Sequence, residues 1–434
     1  MLKGYTKAEK SWMLYDWANS AFATIIAAII LPIFFKEIAH QNGVSDVDAT
    51  AFWGYATSCG TLICAVLAPF MGTLGDFKGM KKRLFTFFML LGVISSALLA
   101  FTGNWKALLA LYVLGTLGFN GSCVYYDSFL LDVTTEERMD RVSTLGYGLG
   151  YIGGSTIPLV LSLLLIQFGD AIGIGTMLAT RISFLLTAGW WLVFTLPMLR
   201  HVHQKHGIDP ERNIVLHTLR NVKDTCCMIL KNKSVVFFII AYFFYIDGVG
   251  TIIHMATVFG DSCGLGSMDM MVVLLVVQIV AFPFAILYGK LAERFGSRTI
   301  ILTGIATYIV VCFVAFRLST LRDFLILAVL VGTAQGGIQA LSRSFFGKLV
   351  PQESASEYFG FFDVFGKFSA VIGPTLFGIV AQATGVSRYG ILPVLGMFIL
   401  GGVIMAFVVP KNIQRIPSSQ SKAHKRSPAL PSEG

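Results

Sequence analysis

The sequence predicts an all-α membrane protein with twelve transmembrane helices arranged as two six-helix halves. Three observations lead to this prediction. Hydrophobic residues make up 55% of the 434 residues and charged residues only 13%, whereas an average soluble domain has about 25% charged residues. Twelve apolar runs are each long enough to cross a bilayer. One long basic connection divides these runs into six and six.

The apolar runs follow one another with mostly short polar connections. A helix needs about 20 apolar residues to cross roughly 30 Å of hydrocarbon. Backbone groups in lipid must be hydrogen-bonded within the segment, which favours helices, and no alternating ten-residue pattern typical of a β-barrel is present. The predicted spans are 12–35, 52–75, 84–103, 107–131, 142–168, 182–199, 234–259, 270–289, 299–316, 324–347, 358–383 and 389–409.

The long connection, residues 200–233, sets the predicted domain boundaries. Residues 1–199 are predicted to form an N-terminal six-helix half and residues 234–410 a C-terminal six-helix half. The polar segment 411–434 is predicted to be a disordered tail. The connection carries three histidines, which we interpret as part of a solvated basic linker rather than as a metal site; they are His201, His203 and His206. Neither a metal nor a cofactor is predicted.

The distribution of basic residues predicts the orientation in the membrane. Of the 33 Lys and Arg, 25 fall in segments on the side of the N-terminus and six on the other side, while Arg343 and Lys367 lie within spans. Because positively charged loops stay in the cytoplasm, both termini are predicted to be cytoplasmic. The net charge of +9 therefore reflects topology, not nucleic-acid binding. We expect a monomer in the bacterial cytoplasmic membrane, with the vacuolar membrane as the alternative.

A short motif occurs twice, after the second and the eighth span. The copies are GTLGDFKGMKKR at 72–83 and GKLAERFGSR at 289–298. Three pairs share one offset of 217 residues: Gly72 and Gly289, Asp76 and Glu293, and Gly79 and Gly296. Small residues let two helices approach closely, and the acid lies where it can pair with a base or cap a helix. The glycine after the acid permits a tight turn.

The repeated motif resembles the loop signature of the major facilitator superfamily. Five further segments are similar to one branch of it, the vacuole-effluxer-like family, which is related to the autophagy-linked amino-acid effluxer of the yeast vacuole. These segments are WMLYDWANSAF at 12–22, YYDSFL at 125–130, YFFYIDG at 242–248, GGIQALSRSFFG at 336–347 and FGFFDVFGK at 359–367. The resemblance covers nearly the whole chain.

The resemblance implies a secondary transporter that moves a small solute, such as an amino acid, by alternating access, and no enzyme activity. Buried carboxylates make protons candidate coupling ions, and a facilitator is also compatible with the sequence. A lipid-handling or sensory membrane protein on the same fold is the alternative. The gate and switch residues implied by the repeated motif are Gly72, Asp76, Gly79, Arg83 and Glu293.

Six ionisable residues other than histidine fall within the predicted spans. They are Asp16, Asp127, Asp247, Arg343, Asp363 and Lys367. A charge inside a membrane is costly and usually faces a partner or a cavity. Asp247 lies near the middle of the seventh span, beside Tyr245 and before Gly248 and Gly250, which favours a substrate or proton site. An aspartate hydrogen-bonded within the helix bundle is the alternative.

The other charged residues suggest pairs. Asp363 and Lys367 are four residues apart and are predicted to pair on one helix face, while binding of a substrate carboxylate by Lys367 is the alternative. Asp127 and Arg343 occupy corresponding positions in the two halves, at an offset of 216, which predicts a bridge that breaks on opening. Asp16, with Asn19 on the same helix, is a candidate for either the gate or the central cavity.

A glycine-rich stretch in the fifth span matches the GxGxxG pattern at 148–153. No strand precedes it, so we exclude dinucleotide binding. Gly146, Gly150 and Gly154 instead form a stripe of small residues that predicts close packing against a neighbouring helix.

Overall fold

A computed structural model describes residues 2–209, 225–262, 266–318, 320–410 and 416. Twelve of its helices are long and apolar enough to cross a membrane. They are α1 Lys7–Gln41, α2 Asp46–Asp76, α3 Met80–Phe101, α4 Trp105–Val133, α5 Glu136–Phe168, α6 Thr176–His201, α7 Lys233–Ser262, α8 Ser267–Phe295, α9 Ser297–Ala315, α10 Leu321–Leu349, α11 Ala355–Thr384 and α12 Ser387–Val408. Each overlaps one predicted span, which confirms the predicted all-α membrane fold.

Polar side chains fix where several helices begin. Thr6 before α1 and Thr320 before α10 each form a reciprocal capping box with the acid three residues later. Ser45 before α2 and Asn104 before α4 accept hydrogen bonds from N–H groups of the first turn. The chain therefore re-enters the membrane at defined positions after short connections.

The turn glycines of the repeated motif adopt the backbone conformation that the sequence predicts. Gly79, between α2 and α3, has a φ of +78°, and Gly296, between α8 and α9, has a φ of +83°. A side chain at either position would strain this left-handed conformation. The two copies therefore make tight turns at equivalent places in the two halves.

α1 and α5 both contain π-helical segments, Phe22–Ile29 and Gly150–Thr156, and they pack closely against each other. A Cβ on Gly150 would lie 2.9 Å from the hydroxyl of Ser20, and one on Gly154 would lie 2.6 Å from the Ser20 Cβ. The predicted packing role of the glycine stripe in the fifth span is confirmed. π-Segments often occur at functional sites.

Helices α1–α6 and α7–α12 form the two six-helix halves, which meet through α2 with α11 and through α5 with α8 and α10. We call the end of the bundle where α1 begins and α12 ends the terminal face. Because successive helices alternate in direction, the α2–α3, α4–α5, α8–α9 and α10–α11 connections also lie at this face. The predicted tail, 411–434, lies outside the described residues except for residue 416.

Candidate functional site

On the terminal face, the end of α2 lies against the start of α11. The buried Asp76 carboxylate accepts hydrogen bonds from the backbone N–H groups of Ser356, at 2.8 Å, and Glu357, at 3.0 Å. N–H groups in the first turn of a helix have no partner within that helix, and the helix dipole favours an anion there. Asp76 therefore joins the N-terminal half to the C-terminal half.

The glycines of the first motif copy allow this close approach. A Cβ on Gly72 would collide with the carbonyl oxygen of Ser356 and would lie 2.8 Å from the Cα of Glu357. A Cβ on Gly75 would lie 2.5 Å from the ring of Tyr125. Any side chain at Gly72 would thus push the backbones of α2 and α11 apart. Arg83, also predicted for the gate, is exposed near the start of α3.

The second motif copy makes an equivalent crossing with different contacts. A Cβ on Gly289 in α8 would collide with the hydroxyl of Thr144 in α5, which is a side chain and not backbone. Glu293 lies 4.0 Å from Arg141, and the two side chains are 38% and 47% exposed. The acid of the second copy is therefore a peripheral surface group, unlike Asp76.

A different acid, Asp140 at the start of α5, forms the buried contacts at the second crossing. One carboxylate oxygen accepts from the Ser297 hydroxyl and the Lys348 ammonium, both at 2.6 Å, and the other accepts from the Ser344 hydroxyl at 2.6 Å. Ser297 is the first residue of α9, and Ser344 and Lys348 lie on α10. Sequence reasoning missed this site because Asp140 lies outside the repeated motif, and no local pattern identifies its distant partners.

Between the halves, Arg343 of α10 bridges two carboxylates of the N-terminal half. Its guanidinium donates to Asp127 at 2.9 Å and to Asp16 at 3.3 Å. The hydroxyl of Tyr126 also donates to Asp16, at 2.7 Å. The structure thus brings together Asp127 and Arg343, as their corresponding positions predict, and adds Asp16 to the same bridge.

Further groups fix the orientation of the Arg343 side chain. Its Nε donates to the Ser143 hydroxyl at 2.9 Å, and one Nη donates to the Ser143 carbonyl at 3.1 Å. The rings of Trp12, Tyr126 and Tyr147 lie 4.7, 5.2 and 4.4 Å from the guanidinium carbon. Such cation–π contacts stabilise a cation that has been removed from water. The aromatic contacts were not predicted, because they come from three different helices.

Asp363 and Lys367 form the predicted ion pair on one face of α11. The Lys367 ammonium also lies within electrostatic range of Asp127. Nearby, Asn19 donates a hydrogen bond to the Cys123 thiol at 3.5 Å. We call Asp16, Asp127, Arg343, Asp363 and Lys367 the central charged cluster, and it draws on α1, α4, α10 and α11.

Asp247 lies away from this cluster, within the C-terminal half. One carboxylate oxygen accepts the N–H of Gly373 in α11 at 2.9 Å, while the other has no hydrogen-bond partner among the described residues. Thr251, one turn later, lines an apolar cavity of about 110 Å³ with Gln278 and Gln335, and no member of the central charged cluster lines it. The Tyr245 hydroxyl lies 2.7 Å from that of Ser342.

No group of three or more His, Cys, Asp or Glu side chains in the described ranges could hold a metal ion. The three histidines at and after the end of α6 make separate contacts. His201 lies 3.2 Å from the Ser11 hydroxyl, His203 lies 3.4 Å from the Lys82 ammonium, and His206 contacts Asp132 at 3.1 Å.

Two six-helix halves that meet around buried charges and contact each other at one face have the architecture of the major facilitator type. The solved structure of the proton:xylose symporter XylE has the same fold, with a TM-score of 0.74, 12% sequence identity, and coverage of 94% of this chain and 97% of that chain. A family described as vacuole effluxer Atg22 like matches residues 6–136 and 131–415. The chain belongs to this family.

Relatives from a bacterium and from fungi extend over most of the chain. The uncharacterized MFS-type transporter YxiO of Bacillus subtilis (strain 168) is 46% identical over 425 residues, which is 97% of this chain and 99% of that protein. Autophagy-related protein 22 of Eremothecium gossypii is 24% identical over 445 residues, or 87% of this chain and 86% of that protein. The chain is therefore a multi-pass membrane protein that transports solutes, and it is not an enzyme.

Proposed function

We propose that this transporter moves a small zwitterionic solute, such as an amino acid or a similar metabolite, by proton-coupled alternating access. The observation that carries the proposal is the central charged cluster, which offers both a cation and carboxylates at the interface between the halves. A zwitterion presents the complementary pair of charges, and it would bind between two surfaces that can separate.

The members of the central charged cluster differ in how far a solute can reach them. The side chains of Asp127 and Asp363 are each 29% exposed and that of Lys367 is 10% exposed, whereas Arg343 is 3% exposed. Lys367 is the group that would bind a carboxylate of the solute. Asp127 and Asp363 would bind its ammonium group. Arg343 is too enclosed for direct contact and holds the halves together instead.

The charge of the cluster supports coupling to a proton. Three carboxylates face two cations, so the cluster has a formal charge of −1 when all five groups are ionised. A zwitterion adds no net charge and leaves this imbalance in a poorly solvated site, where an uncompensated charge is unfavourable. A proton taken up with the solute would neutralise the site.

Alternating access requires contacts that exist in only one end state. The bonds from Asp76 to α11, from Asp140 to α9 and α10, and from Arg343 to Asp127 all join the two halves. Opening at the terminal face would break each of them. A solute ammonium that competes with Arg343 for Asp127 binds the open state better, and this difference in affinity would shift the equilibrium.

We place the terminal face in the cytoplasm because 25 basic residues lie on that side and six on the other. The bacterial relative supports the cytoplasmic membrane as the location, and the fungal relative leaves the vacuolar membrane as the alternative. Lys205, which is exposed on the terminal face, provides the test. In a background in which Cys59, Cys226, Cys227 and Cys263 are replaced by serine, a cysteine there should react with an impermeant thiol reagent only after permeabilisation. Labelling in intact cells would reverse the orientation.

Reconstituted protein tests the transport proposal directly. Proteoliposomes are loaded with an unlabelled amino-acid mixture, and counterflow of each radiolabelled amino acid is measured with and without an imposed pH gradient. Lys367→Gln should lower counterflow about tenfold, since a charge-assisted contact contributes about 1.5–3 kcal/mol. The exposed Lys36→Gln is the matched control and should behave as the original protein does. Undiminished counterflow in Lys367→Gln would contradict this site.

Asp247 is a second candidate carrier of the coupled proton, since one of its buried oxygens has no described hydrogen-bond partner. If it carries the proton, Asp247→Asn should abolish accumulation against a gradient but preserve counterflow. If it binds the solute ammonium, both activities should fail. Normal activity in both assays would make Asp247 structural, in keeping with its bond to Gly373.

A further inference from the structure

After α6 ends, the chain continues across the terminal face instead of leaving it. We call residues 203–209 the strap. The Gln204 side chain binds both sides of the turn between α2 and α3. Its oxygen accepts the N–H groups of Gly79 at 2.9 Å and Lys81 at 3.3 Å, and its nitrogen donates to the carbonyls of Gly75 and Phe77, both at 3.2 Å.

The strap also pairs with this turn through its backbone. The N–H of Ile208 donates to the carbonyl of Asp76 at 2.8 Å, and the N–H of Lys78 donates to the carbonyl of Ile208 at 3.0 Å. A Cβ on Gly207 would lie 2.7 Å from the Gln204 nitrogen and 2.8 Å from the Asp76 carbonyl oxygen. The strap therefore lies too close to the turn to accept a side chain at Gly207.

A buried acid on α4 anchors both the strap and the start of α3. One oxygen of Asp132 accepts the backbone N–H groups of Lys205, at 2.9 Å, and His206, at 3.1 Å. The other oxygen accepts the Lys81 ammonium at 2.8 Å, and both charged side chains are fully enclosed. The strap, the turn and α4 are thereby connected in one hydrogen-bonded unit.

We propose that Gln204 is a positioning residue of the terminal-face gate. The carbonyl of Asp76 is held by the strap while its carboxylate is bonded to α11, so the strap fixes the direction in which that carboxylate points. Gln204 suits this role because its amide is both acceptor and donor and can bind the two sides of one turn. Release of the strap leaves the Asp76 turn free to rotate, which weakens the bond to α11 and favours opening.

This inference rests on the proposed alternating access, and a distance measurement tests both. Spin labels are attached to cysteines that replace Glu137 and Arg294, exposed residues of the two halves at the terminal face. The exposed Cys59, Cys226 and Cys227, together with Cys263, are replaced by serine in this background. Pulsed electron paramagnetic resonance then gives the populations that are closed and open at this face.

Gln204→Ala and Gly207→Ala should each raise the ratio of open to closed protein about threefold, as expected for the net loss of one or two hydrogen bonds. Gln204→Glu should behave like alanine, because its second oxygen would face two carbonyl oxygens. Lys205→Gln is the matched control, since Lys205 contacts Asp132 through its backbone alone. The melting temperature of every variant should stay near that of the background protein.

Three results would overturn the inference. If Gln204→Ala and Gly207→Ala show the same distance distribution as the background protein, the strap has no influence on the gate. A lower melting temperature with an unchanged ratio of open to closed protein would mean that Gln204 is only structural. A single closed population in the background protein, whatever the pH or solute, would overturn alternating access as well, and so separates failure of the proposed function from failure of the strap alone.

Discussion

The two crossings of the halves on the terminal face carry the same sequence motif but are held by different chemistry. At the α2–α11 crossing, Asp76 of the motif is buried and bonded to two backbone N–H groups. At the α5–α8 crossing, Glu293 of the motif is exposed, and the buried bonds are formed beside it by Asp140 of α5 with α9 and α10. The repeat therefore preserves the close approach of the helices at Gly72 and Gly289 rather than the role of the acid.

The difference predicts which contacts keep the terminal face closed. A hydrogen bond to a charged group contributes about 1.5–3 kcal/mol, and Asp76 accepts two such bonds between the halves. An exposed ion pair such as Glu293 with Arg141 contributes about 0–1 kcal/mol. The closed state should thus depend on Asp76 and Asp140 and be nearly indifferent to Glu293.

The largest effect is expected at Asp140. Asp140→Ala removes the acceptor that the Lys348 ammonium and the hydroxyls of Ser297 and Ser344 share, and breaking a buried ion pair costs about 3–5 kcal/mol. The melting temperature of the purified protein should fall strongly, and transport should fall with it. Asp140→Asn, which keeps one acceptor oxygen, should retain part of the stability. An unchanged melting temperature in Asp140→Ala would show that Asp140 does not stabilise the second crossing.

Asp76→Asn should have the second-largest effect. An asparagine presents an NH2 group to one of the two backbone N–H donors, so at least one bond across the halves is lost. Loss of about 1.5–2 kcal/mol corresponds to roughly a tenfold to thirtyfold change in the balance between end states. Solute uptake should weaken while the protein stays folded and inserted. Uptake kinetics equal to those of the original protein would contradict a gating role for Asp76.

The two crossing glycines should respond unequally to the same substitution. Gly72→Ala places a methyl group against the Ser356 carbonyl, which cannot move without shifting α11, and overpacking of this kind costs about 1–3 kcal/mol. Gly289→Ala meets the Thr144 hydroxyl, which can change rotamer. The melting temperature of Gly72→Ala should therefore be lower than that of Gly289→Ala. Equal values would show that the two crossings are mechanically equivalent.

Glu293→Gln should have the smallest effect. Because the ion pair with Arg141 is solvent-exposed and 4.0 Å long, uptake and melting temperature should stay close to those of the original protein, within about a factor of two in rate. A similar result is expected at low and high salt. A loss of uptake as large as that in Asp76→Asn would contradict the unequal roles of Asp76 and Glu293.

Hydropathy and the repeated motif predicted the parts of this molecule that depend on local sequence. The spans follow from the cost of exposing a backbone to lipid, and the turns at Gly79 and Gly296 follow from the need for a left-handed residue. The pairing of Asp127 with Arg343 followed from their equivalent positions in two similar halves. The spans and the turns need no knowledge of which helices become neighbours, whereas the pairing of Asp127 with Arg343 also required the correspondence between the halves.

The contacts that close the gate depend on distant partners and were not predictable in this way. Asp140 meets Ser344 and Lys348 about 200 positions further along the chain, and nothing near Asp140 marks them. Gln204 lies in a segment that we interpreted as solvated linker, yet its side chain binds the turn after α2. The position of Asp247 near the middle of its span also did not predict that its carboxylate would bind Gly373 instead of joining the central charged cluster.

We expect the two crossings to gate the terminal face unequally. The most direct test is the distance between spin labels at residues 137 and 294, measured in Asp76→Asn and Glu293→Gln within the same background. We expect a larger open population in Asp76→Asn, and in Glu293→Gln a distance distribution that overlaps that of the background protein. Equal shifts in both variants, or no shift in Asp76→Asn, would contradict this expectation.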